Sequence, residues 1–253
     1  LPVKFKPLPG RLNIVLSRNR EAHSDFPANI LSSSNLDDVL NEDYRHPIPM
    51  GIPGIDRLLK GGLAKGEIGV VLAPTGVGKS TLLTKISNHA FNLGYNVLQI
   101  FFEDNPKIIQ RKHITLWTKI HPDELSVRKE EVMEKVKKVK ETMTNELILK
   151  KLPSDTMTMM QIKNQIRKMM SEGTKIDMVL LDYIDCVVPD KNLGDEWKSE
   201  GSVMRGFEAM CHELNIVGWT ATQGNRSSIS SDVVTTDQMG GSIKKAQVGH
   251  VII

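Results

Sequence analysis

Residues 71–81, VLAPTGVGKST, place two glycines, a lysine and two hydroxyls directly behind an apolar run. Glycines allow the backbone to bend so that successive N–H groups point at phosphate oxygens, and a following helix adds the positive end of its dipole. Lys79 suits the β- and γ-phosphates of a nucleotide, the Ser80 hydroxyl suits Mg²⁺, and Thr81 suits the α-phosphate. The stretch therefore predicts an ATP- and Mg²⁺-binding phosphate loop formed by Pro74, Thr75, Gly76, Val77, Gly78, Lys79, Ser80 and Thr81.

The usual phosphate-loop pattern begins with glycine, and this sequence has Ala73 at that position. Alanine is compatible with the position provided that its φ is negative, so we expect the phosphate contacts to be unchanged. The alternative is a glycine-rich turn with a chance lysine. A predicted strand before the loop and a predicted helix after it favour the phosphate loop.

Three further apolar segments end in polar residues that suit hydrolysis. Asp182 ends DMVLLD, where a carboxylate can hold Mg²⁺ through its water; the alternative is an ordinary strand-terminal aspartate. Glu103 follows QIFF on a strand that we expect next to the phosphate-loop strand, and it suits a general base. Asp104 competes for that role but fits better as the cap of a helix beginning near Pro106. Gln223 ends WTATQ, where an amide can bond the γ-phosphate; the alternative is a surface polar residue.

The elements that must position these residues alternate between strand and helix from Glu67 onward. Apolar runs predict strands at 68–73, 96–102, 146–153, 176–188, 215–223 and 248–253. Helical patterns occupy 79–92, 106–120, 124–143, 157–173 and the region around 203–214, and a polar loop is predicted at 189–201. This alternation predicts an α/β fold with a doubly wound, mostly parallel sheet and helices on both faces. Ligands of such sheets bind at the carboxyl ends of the strands.

Composition limits the class of protein. The chain has 253 residues, 40% of them hydrophobic, with a net charge of +3 and a pI of about 8.7, which is too weakly basic to argue for a nucleic-acid partner. No apolar run is long enough to span a membrane. Cys186 and Cys211 lack metal-ligand spacing and are expected to be buried, reduced thiols. The chain starts at Leu1 and stops within an apolar run, so we expect it to be a piece of a longer protein.

Residues 50–253 resemble the ATPase domain of ring-forming replicative helicases, the DnaB-like family, whose core is a RecA-like P-loop NTPase. The likeness is colinear and is carried by MGIPGIDRLLKGGLAKGE, APTGVGKST, FFED, LLDYIDCV, TQGNR and QMGGSIKKAQVGHVII. It implies an ATP-driven motor that translocates on single-stranded DNA and unwinds duplex as a homo-hexamer, with nucleotide sites between subunits. Primase or a helicase loader is the implied partner, in the cytoplasm of a bacterial or phage-infected cell. We place this core at residues 47–253.

The sequence differs from the family pattern in two respects, and two of its segments correspond to the family's DNA-binding loops. Asp185 stands where the family often has glutamine, and the family's arginine finger is expected beyond Ile253, without which hydrolysis should be slow. The family's DNA-binding loops correspond to residues 189–201 and 224–242. Cations in or near these loops could meet DNA phosphates, although a solvated surface residue is the alternative for each: Lys191, Lys198, Arg226, Lys244 and Lys245.

Residues 1–46 form an appendage that resembles something else, an internal segment of dihydrofolate reductase. The likeness is carried by KFKPLPGRLNIVLSRN and ILSSSNLDDVLNE, with Arg11 matching a folate-carboxylate ligand and Ser17 and Arg18 matching NADPH 2′-phosphate ligands. A slice this short cannot bury a core, so we expect neither reductase activity nor methotrexate binding. A gene-fusion remnant, an artefact of cloning or assembly, and coincidence all remain open. An ordered segment would pack on the ATPase core or a neighbouring subunit.

Two other ATPase classes share parts of these motifs. A RecA-like recombinase has the phosphate loop, the glutamate and the aspartate, but the order of TQGNR and GGSIKKAQVGHVI favours the helicase. Filaments rather than closed rings on single-stranded DNA would indicate the recombinase. A regulatory ATPase of the circadian-clock type would bind protein rather than DNA, and its ATP turnover would not respond to single-stranded DNA.

Overall fold

The computed structural model describes residues 45–190, 201–223 and 248–253 in full, Leu40 in a helix, and the backbone of residues 15–16 and 196–200. Strands in this part are β1 (Val15–Leu16), β2 (Ile68–Ala73), β3 (Val97–Phe101), β4 (Leu147–Lys151), β5 (Met178–Asp182), β6 (Val217–Gln223) and β7 (Val251–Ile252). The α-helices are α1 (Pro53–Leu58), α2 (Lys79–Asn92), α3 (Pro106–Thr118), α4 (Lys129–Thr142), α5 (Met159–Ser171) and α6 (Glu196–Leu214). None of the described helices is long and apolar enough to cross a membrane.

The described strands form one sheet in the order β1-β7-β2-β6-β5-β3-β4. Every neighbouring pair is parallel except β1 with β7, which is antiparallel. The predicted α/β class with a mostly parallel sheet is thus confirmed. The expectation that the strand of Glu103 neighbours the phosphate-loop strand is wrong, because β6 and β5 lie between β2 and β3. Strand order depends on where each crossover helix packs, which hydropathy along the chain does not specify.

Apolar residues alternate along the central strands and supply two cores, one on each face of the sheet. Val70, Ile100 and Leu181 point into the core that is covered by α5 and α6. Val71 and Leu180 point into the opposite core, which is covered by α1 and α2. Because both faces are covered, the strands are continuous apolar runs, as expected of parallel sheets.

Several predicted boundaries are wrong. Helix α4 begins at Lys129 rather than at residue 124, and β7 begins at Val251 rather than at residue 248. The apolar run 176–188 is not one strand, since β5 ends at Asp182 and a short 3-10 helix, Ile184–Cys186, follows. Ile184 and Cys186 are buried, and a buried turn has the same hydropathy as a buried strand. The polar segment 189–201 is also not loop throughout, because α6 begins at Glu196. Charged residues fit the first turns of a helix as well as they fit a loop.

Helix α4 is rich in charged residues and carries no buried residue among its 14, so it lies against solvent. The expected burial of both thiols is confirmed. Cys186 and Cys211 are both buried and free. Of the appendage, the structure describes the strand pair of β1 with β7, the helical Leu40 and residues 45–46, whereas Arg11, Ser17 and Arg18 lie outside the described residues.

Candidate active site

The loop between β2 and α2 has the backbone that a phosphate cradle requires. Gly76 and Gly78 have φ of 84° and 99°, in the left-handed region that favours glycine. A Cβ at either position would meet nothing within 4 Å, so the backbone angle rather than crowding requires glycine there. Ala73 is the last residue of extended strand β2 and is not among the residues with positive φ. Alanine at the leading position therefore costs the loop nothing.

Lys79 begins α2 and lies folded under the loop. Its side chain is buried, and Nζ donates to the carbonyl oxygens of Ala73 and Pro74, both at 2.9 Å. Burial lowers the pKa of Lys79, and the negative charges of Asp185, Asp182 and Glu103 oppose that shift. The ammonium is thus held inside the loop, while the backbone of residues 75–78 above it is exposed to solvent. A phosphate entering the loop would meet both the N–H groups and this charge.

The side chains of Ser80, in the first turn of α2, and Asp182, at the end of β5, are in contact, although 102 positions separate them in sequence. The Ser80 hydroxyl donates to Oδ1 of Asp182 at 3.0 Å. Asp182 is 5% exposed, and its pKa is raised to about 6, mainly because burial disfavours the charged form. A hydroxyl and a buried carboxylate are hard oxygen donors that a divalent cation would stabilise. The pair fits Mg²⁺.

Glu103 follows β3 and is exposed to solvent at the same edge. The Tyr183 hydroxyl donates to its Oε1 at 3.3 Å, and Lys151 Nζ donates to the carbonyl oxygens of Glu103 and Asp104 at 3.2 and 3.1 Å. The predicted capping role of Asp104 is wrong. Asn105 caps α3 instead, accepting from the Lys107 N–H, because it immediately precedes the first helical residue. Asp104 forms an ion pair with Lys112 at 3.1 Å.

Gln223 is the last residue of β6 and lies beside the end of the phosphate-loop strand, in register with Ala73. Its side chain is exposed. Its backbone N–H donates to Oδ2 of Asp185 at 3.0 Å, and the hydroxyl of the preceding Thr222 donates to the same carboxylate at 3.0 Å. The turn after Asp182 therefore reaches the end of β6.

The parallel sheet brings the phosphate loop, Glu103, Asp182 and Gln223 to the same side of the molecule, at the carboxyl ends of β2, β3, β5 and β6.

Most of the candidate DNA-binding cations fall outside the described part of the chain. Lys191, Arg226, Lys244 and Lys245 lie outside the described residues, and only the backbone of Lys198 is described, within α6.

The sequence did not predict the residues that support the candidate site residues through hydrogen bonds. Tyr183, Asp185 and Lys151 each hold a candidate residue or its backbone, and none was assigned such a role from the sequence. Tyr183 and Asp185 carried a signal, since they directly follow the metal-binding candidate in the motif DYID. Lys151 carried none, because its contact joins two neighbouring strands whose pairing is not visible along the chain.

Comparison with known proteins identifies the family of the part of the chain that carries this site. The family model described as the DnaB-like helicase C terminal domain matches residues 47–232. The chain is also 25% identical over 204 residues to a DnaB-like replicative helicase of Enterobacteria phage T4, a match that covers 75% of this chain and 42% of that protein. The chain thus spans less than half the length of this relative.

Solved structures share the fold. One, described as an ATPase domain, superposes with a TM-score of 0.74 at 15% identity, covering 90% of this chain and 83% of that one. A DnaB-like replicative helicase, described with its interactions with primase, superposes with a TM-score of 0.71 at 15% identity, covering 90% of this chain and 56% of that one. The family match spans most of this chain, so the chain belongs to the DnaB-like helicase C-terminal domain family.

Proposed function

We propose that this chain is the ATP-hydrolysing motor domain of a ring-type replicative DNA helicase, coupling Mg-ATP hydrolysis to translocation on single-stranded DNA and unwinding of duplex. The observation that carries the proposal is the convergence of a phosphate loop, a buried carboxylate and an exposed carboxylate at one sheet edge. The phosphate loop, Asp182 and Glu103 all lie within residues 47–232, the part of the chain that the family model matches. A nucleotide-binding protein without turnover would not need the exposed carboxylate.

The residues divide the proposed work between them. Lys79 and the loop N–H groups would bind and orient the phosphates, and Ser80 and Asp182 are the residues that would hold Mg²⁺. When bound, the metal supplies positive charge that offsets the charge of the phosphates. Glu103, which is exposed and held through Tyr183, orients a water and accepts its proton at the carboxylate. Gln223 contacts the γ-phosphate and signals its loss to the segment that follows β6.

The assembly and partners belong to the same proposal. A homo-hexamer with nucleotide between subunits would bring an arginine of a neighbouring subunit to the exposed side of the phosphate loop. Single-stranded DNA would bind through the segments 189–201 and 224–242, with phosphate contacts from Lys191, Lys198, Arg226, Lys244 and Lys245. Primase is a candidate partner because one structural relative is described in interaction with it. A helicase loader is a second, and the bacterial or phage-infected cytoplasm is the expected compartment.

ATP turnover with and without single-stranded DNA tests the helicase function. We expect DNA to raise turnover, because motion along the strand is coupled to hydrolysis. Turnover that DNA leaves unchanged in a protein that includes the arginine finger would contradict a DNA motor and favour a regulatory ATPase.

Glu103→Gln tests the assignment of the site. We expect this change to keep nucleotide affinity but to lower turnover by about 10²–10⁴, the usual contribution of a general base. Lys79→Ala should instead weaken nucleotide binding, because it removes the charge under the loop. Glu130→Gln makes the same chemical change as Glu103→Gln at an exposed position of α4 and should be silent. Retained turnover in Glu103→Gln would remove Glu103 from its role.

A further inference from the structure

Strand β6 extends past the end of its neighbour β5. The ladder between β5 and β6 ends with Leu181 opposite Thr220, whereas the ladder between β2 and β6 continues to Ala73 opposite Gln223. On the β5 side, none of the described strands receives the N–H groups of the last part of β6. The 3-10 helix Ile184–Cys186 lies there instead.

Asp185, in the middle of that 3-10 helix, takes the place of the missing strand. Its Oδ2 accepts the backbone N–H of Gln223 at 3.0 Å, as a ladder carbonyl would. Both of its oxygens lie 3.0 Å from the Thr222 hydroxyl, which is on a residue only 2% exposed. One carboxylate thus holds a buried hydroxyl and the backbone of the adjacent, exposed candidate residue. A strand end tied in this way presents its terminal side chain from a fixed backbone position.

We propose that Asp185 is a positioning residue: its carboxylate ties the end of β6 to the turn after Asp182 and thereby holds Gln223 where its side chain can contact the γ-phosphate. The inference rests on the proposed function for the role of Gln223, but the tie itself is a property of the chain without nucleotide. Asp185 acts through Gln223 and is not itself assigned a contact with the nucleotide.

The negative charge of Asp185 is a competing reason for its presence. Asp185 is the largest of the charges that oppose the lowering of the Lys79 pKa by burial. Asparagine separates the two roles, because its amide oxygen can accept the Gln223 N–H while its amide nitrogen donates to the Thr222 hydroxyl. Asp185→Asn therefore keeps the tie and removes the charge.

Breaking the tie requires care, because Asp185→Ala alone leaves the buried Thr222 hydroxyl without its partner and can destabilise the fold. The double variant Asp185→Ala/Thr222→Val removes both members of the buried pair and leaves only the exposed strand end free to bond water. Thr222→Val alone is the matched control, since Asp185 still accepts the Gln223 N–H.

Hydrogen exchange of the Gln223 backbone amide, without nucleotide, tests the tie directly. We expect exchange to be about tenfold faster in the double variant, as for the loss of one hydrogen bond, and near wild type in Asp185→Asn and Thr222→Val. The amide of Ile100 in β3 reports global unfolding and should not change. An unchanged Gln223 amide in the double variant would overturn the inference whether or not the chain hydrolyses ATP.

Steady-state turnover tests whether the tie acts through Gln223. We expect the double variant to lower kcat about tenfold with KM within about twofold, and Asp185→Asn to stay within about threefold of wild type. In a Gln223→Ala background the double variant should have no further effect on kcat. A full further loss in that background, or a loss in Asp185→Asn as large as in the double variant, would overturn the inference. Absence of turnover in a wild-type protein that includes the arginine finger would instead refute the proposed function, and hydrogen exchange would still decide the tie.

Discussion

At the residue scale, Tyr183 holds the candidate base in place. Its hydroxyl donates to Oε1 of Glu103 at 3.3 Å. A tyrosine is a protonated donor at neutral pH, and burial raises its pKa further above the ordinary value. Tyr183 directly follows Asp182, whose strand β5 is the neighbour of β3. One short segment after the metal-binding candidate thus reaches both flanking strands, Glu103 through Tyr183 and Gln223 through Asp185.

Tyr183→Phe removes this hydrogen bond and keeps the ring. We expect kcat to fall about 3- to 10-fold, the value of one modest hydrogen bond, with nucleotide affinity unchanged, because the phosphate loop is untouched. Steady-state kinetics and equilibrium nucleotide binding measure the two quantities. Tyr95→Phe makes the same chemical change two residues before β3 begins, at the amino end of that strand and away from the candidate site, and is the matched control. Unchanged kcat in Tyr183→Phe would show that Glu103 does not depend on this contact.

At the element scale, Gly69 of β2 leaves room for the indole ring of Trp219, which lies opposite it on the neighbouring strand β6. A Cβ at Gly69 would lie 2.4 Å from the ring of Trp219, whose side chain is fully buried. Strand β6 also carries Gly218, where a Cβ would lie 2.5 Å from the Cys211 sulfur of α6. The central strands therefore accommodate a large aromatic ring and a helix at the cost of two glycines in the sheet.

Gly69→Ala should destabilise the domain by about 1–3 kcal/mol, since the ring or the strand must shift to admit a methyl group. Chemical denaturation measures the change in the free energy of unfolding. Gly54→Ala is the control, because nothing lies within 4 Å of a Cβ at that helical position. It should be neutral or stabilise by about 0.5–1 kcal/mol. Equal stability of the two variants would show that Trp219 adapts without strain.

A buried polar chain joins α2, β3 and α3. Thr84 donates to the Ser80 carbonyl and accepts from the Gln99 amide, and the Gln99 oxygen lies 3.0 Å from His113 Nε2. The proton of the neutral imidazole is therefore on Nε2, and Nδ1 accepts from Asn88 at 3.3 Å. Burial, assisted by the charge of Lys112, lowers the pKa of His113 from 6.5 to about 4. The hydrogen bonds of this buried network can all form only while His113 is neutral, because Nδ1 must accept from Asn88.

This network makes the stability of the domain depend on acidity. The unfolded chain takes up a proton at His113 near pH 6.5 and the folded chain only near pH 4, so unfolding binds protons between these values. The contribution of His113 to stability should be fully present above pH 6.5 and fall by up to about 3 kcal/mol as the pH is lowered to 4, whereas the raised pKa of Asp182 acts with the opposite sign between about pH 6 and 3.8. Denaturation of the wild type and the variants at several pH values measures the slopes. His113→Gln should remove the His113 contribution from the slope, whereas His121→Gln, at an exposed position, should not; a slope in His113→Gln equal to that of the wild type would contradict the assignment.

At the scale of the whole molecule, the contacts between the described part of the N-terminal appendage and the core include a strand pair and an ion pair. Val15–Leu16 pair antiparallel with Val251–Ile252 at the edge of the sheet. Arg45 donates to both carboxylate oxygens of Glu67, at 2.8 and 2.6 Å, directly before the region that matches the family model. The active-site candidates lie at the ends of other strands, so we propose that the core from about residue 47 binds nucleotide by itself.

Deleting residues 1–44 should leave nucleotide affinity within about twofold of the intact chain, because the site does not use the edge pairing. Deleting residues 1–46 also removes Arg45 and should lower Tm by a further 2–4 °C or so, for a loss of about 1 kcal/mol. Nucleotide binding and thermal unfolding of the two deletions give the comparison. Loss of nucleotide affinity on deleting residues 1–44 would place part of the site in the appendage.

The local features of this protein were readable along the amino-acid chain. Residues 74–81 carry their own loop chemistry, since glycines at 76 and 78 and the following helix dictate the backbone. Hydropathy predicted most of the strands and helices, and the polar residues at 103, 182 and 223 were recognisable because each directly follows or ends an apolar run. The family resemblance over residues 50–253 was also readable, because its motifs are short and occur in order.

Which of these pieces meet was visible only in the folded chain. The fold places β6 and β5 between the phosphate-loop strand and the strand of Glu103, and it ends β5 at Asp182 so that Tyr183 and Asp185 turn toward the neighbouring strands. These contacts join residues about 40 to 80 positions apart. Their geometry depends on crossover packing and strand lengths, which are set by the whole core rather than by any local stretch of sequence.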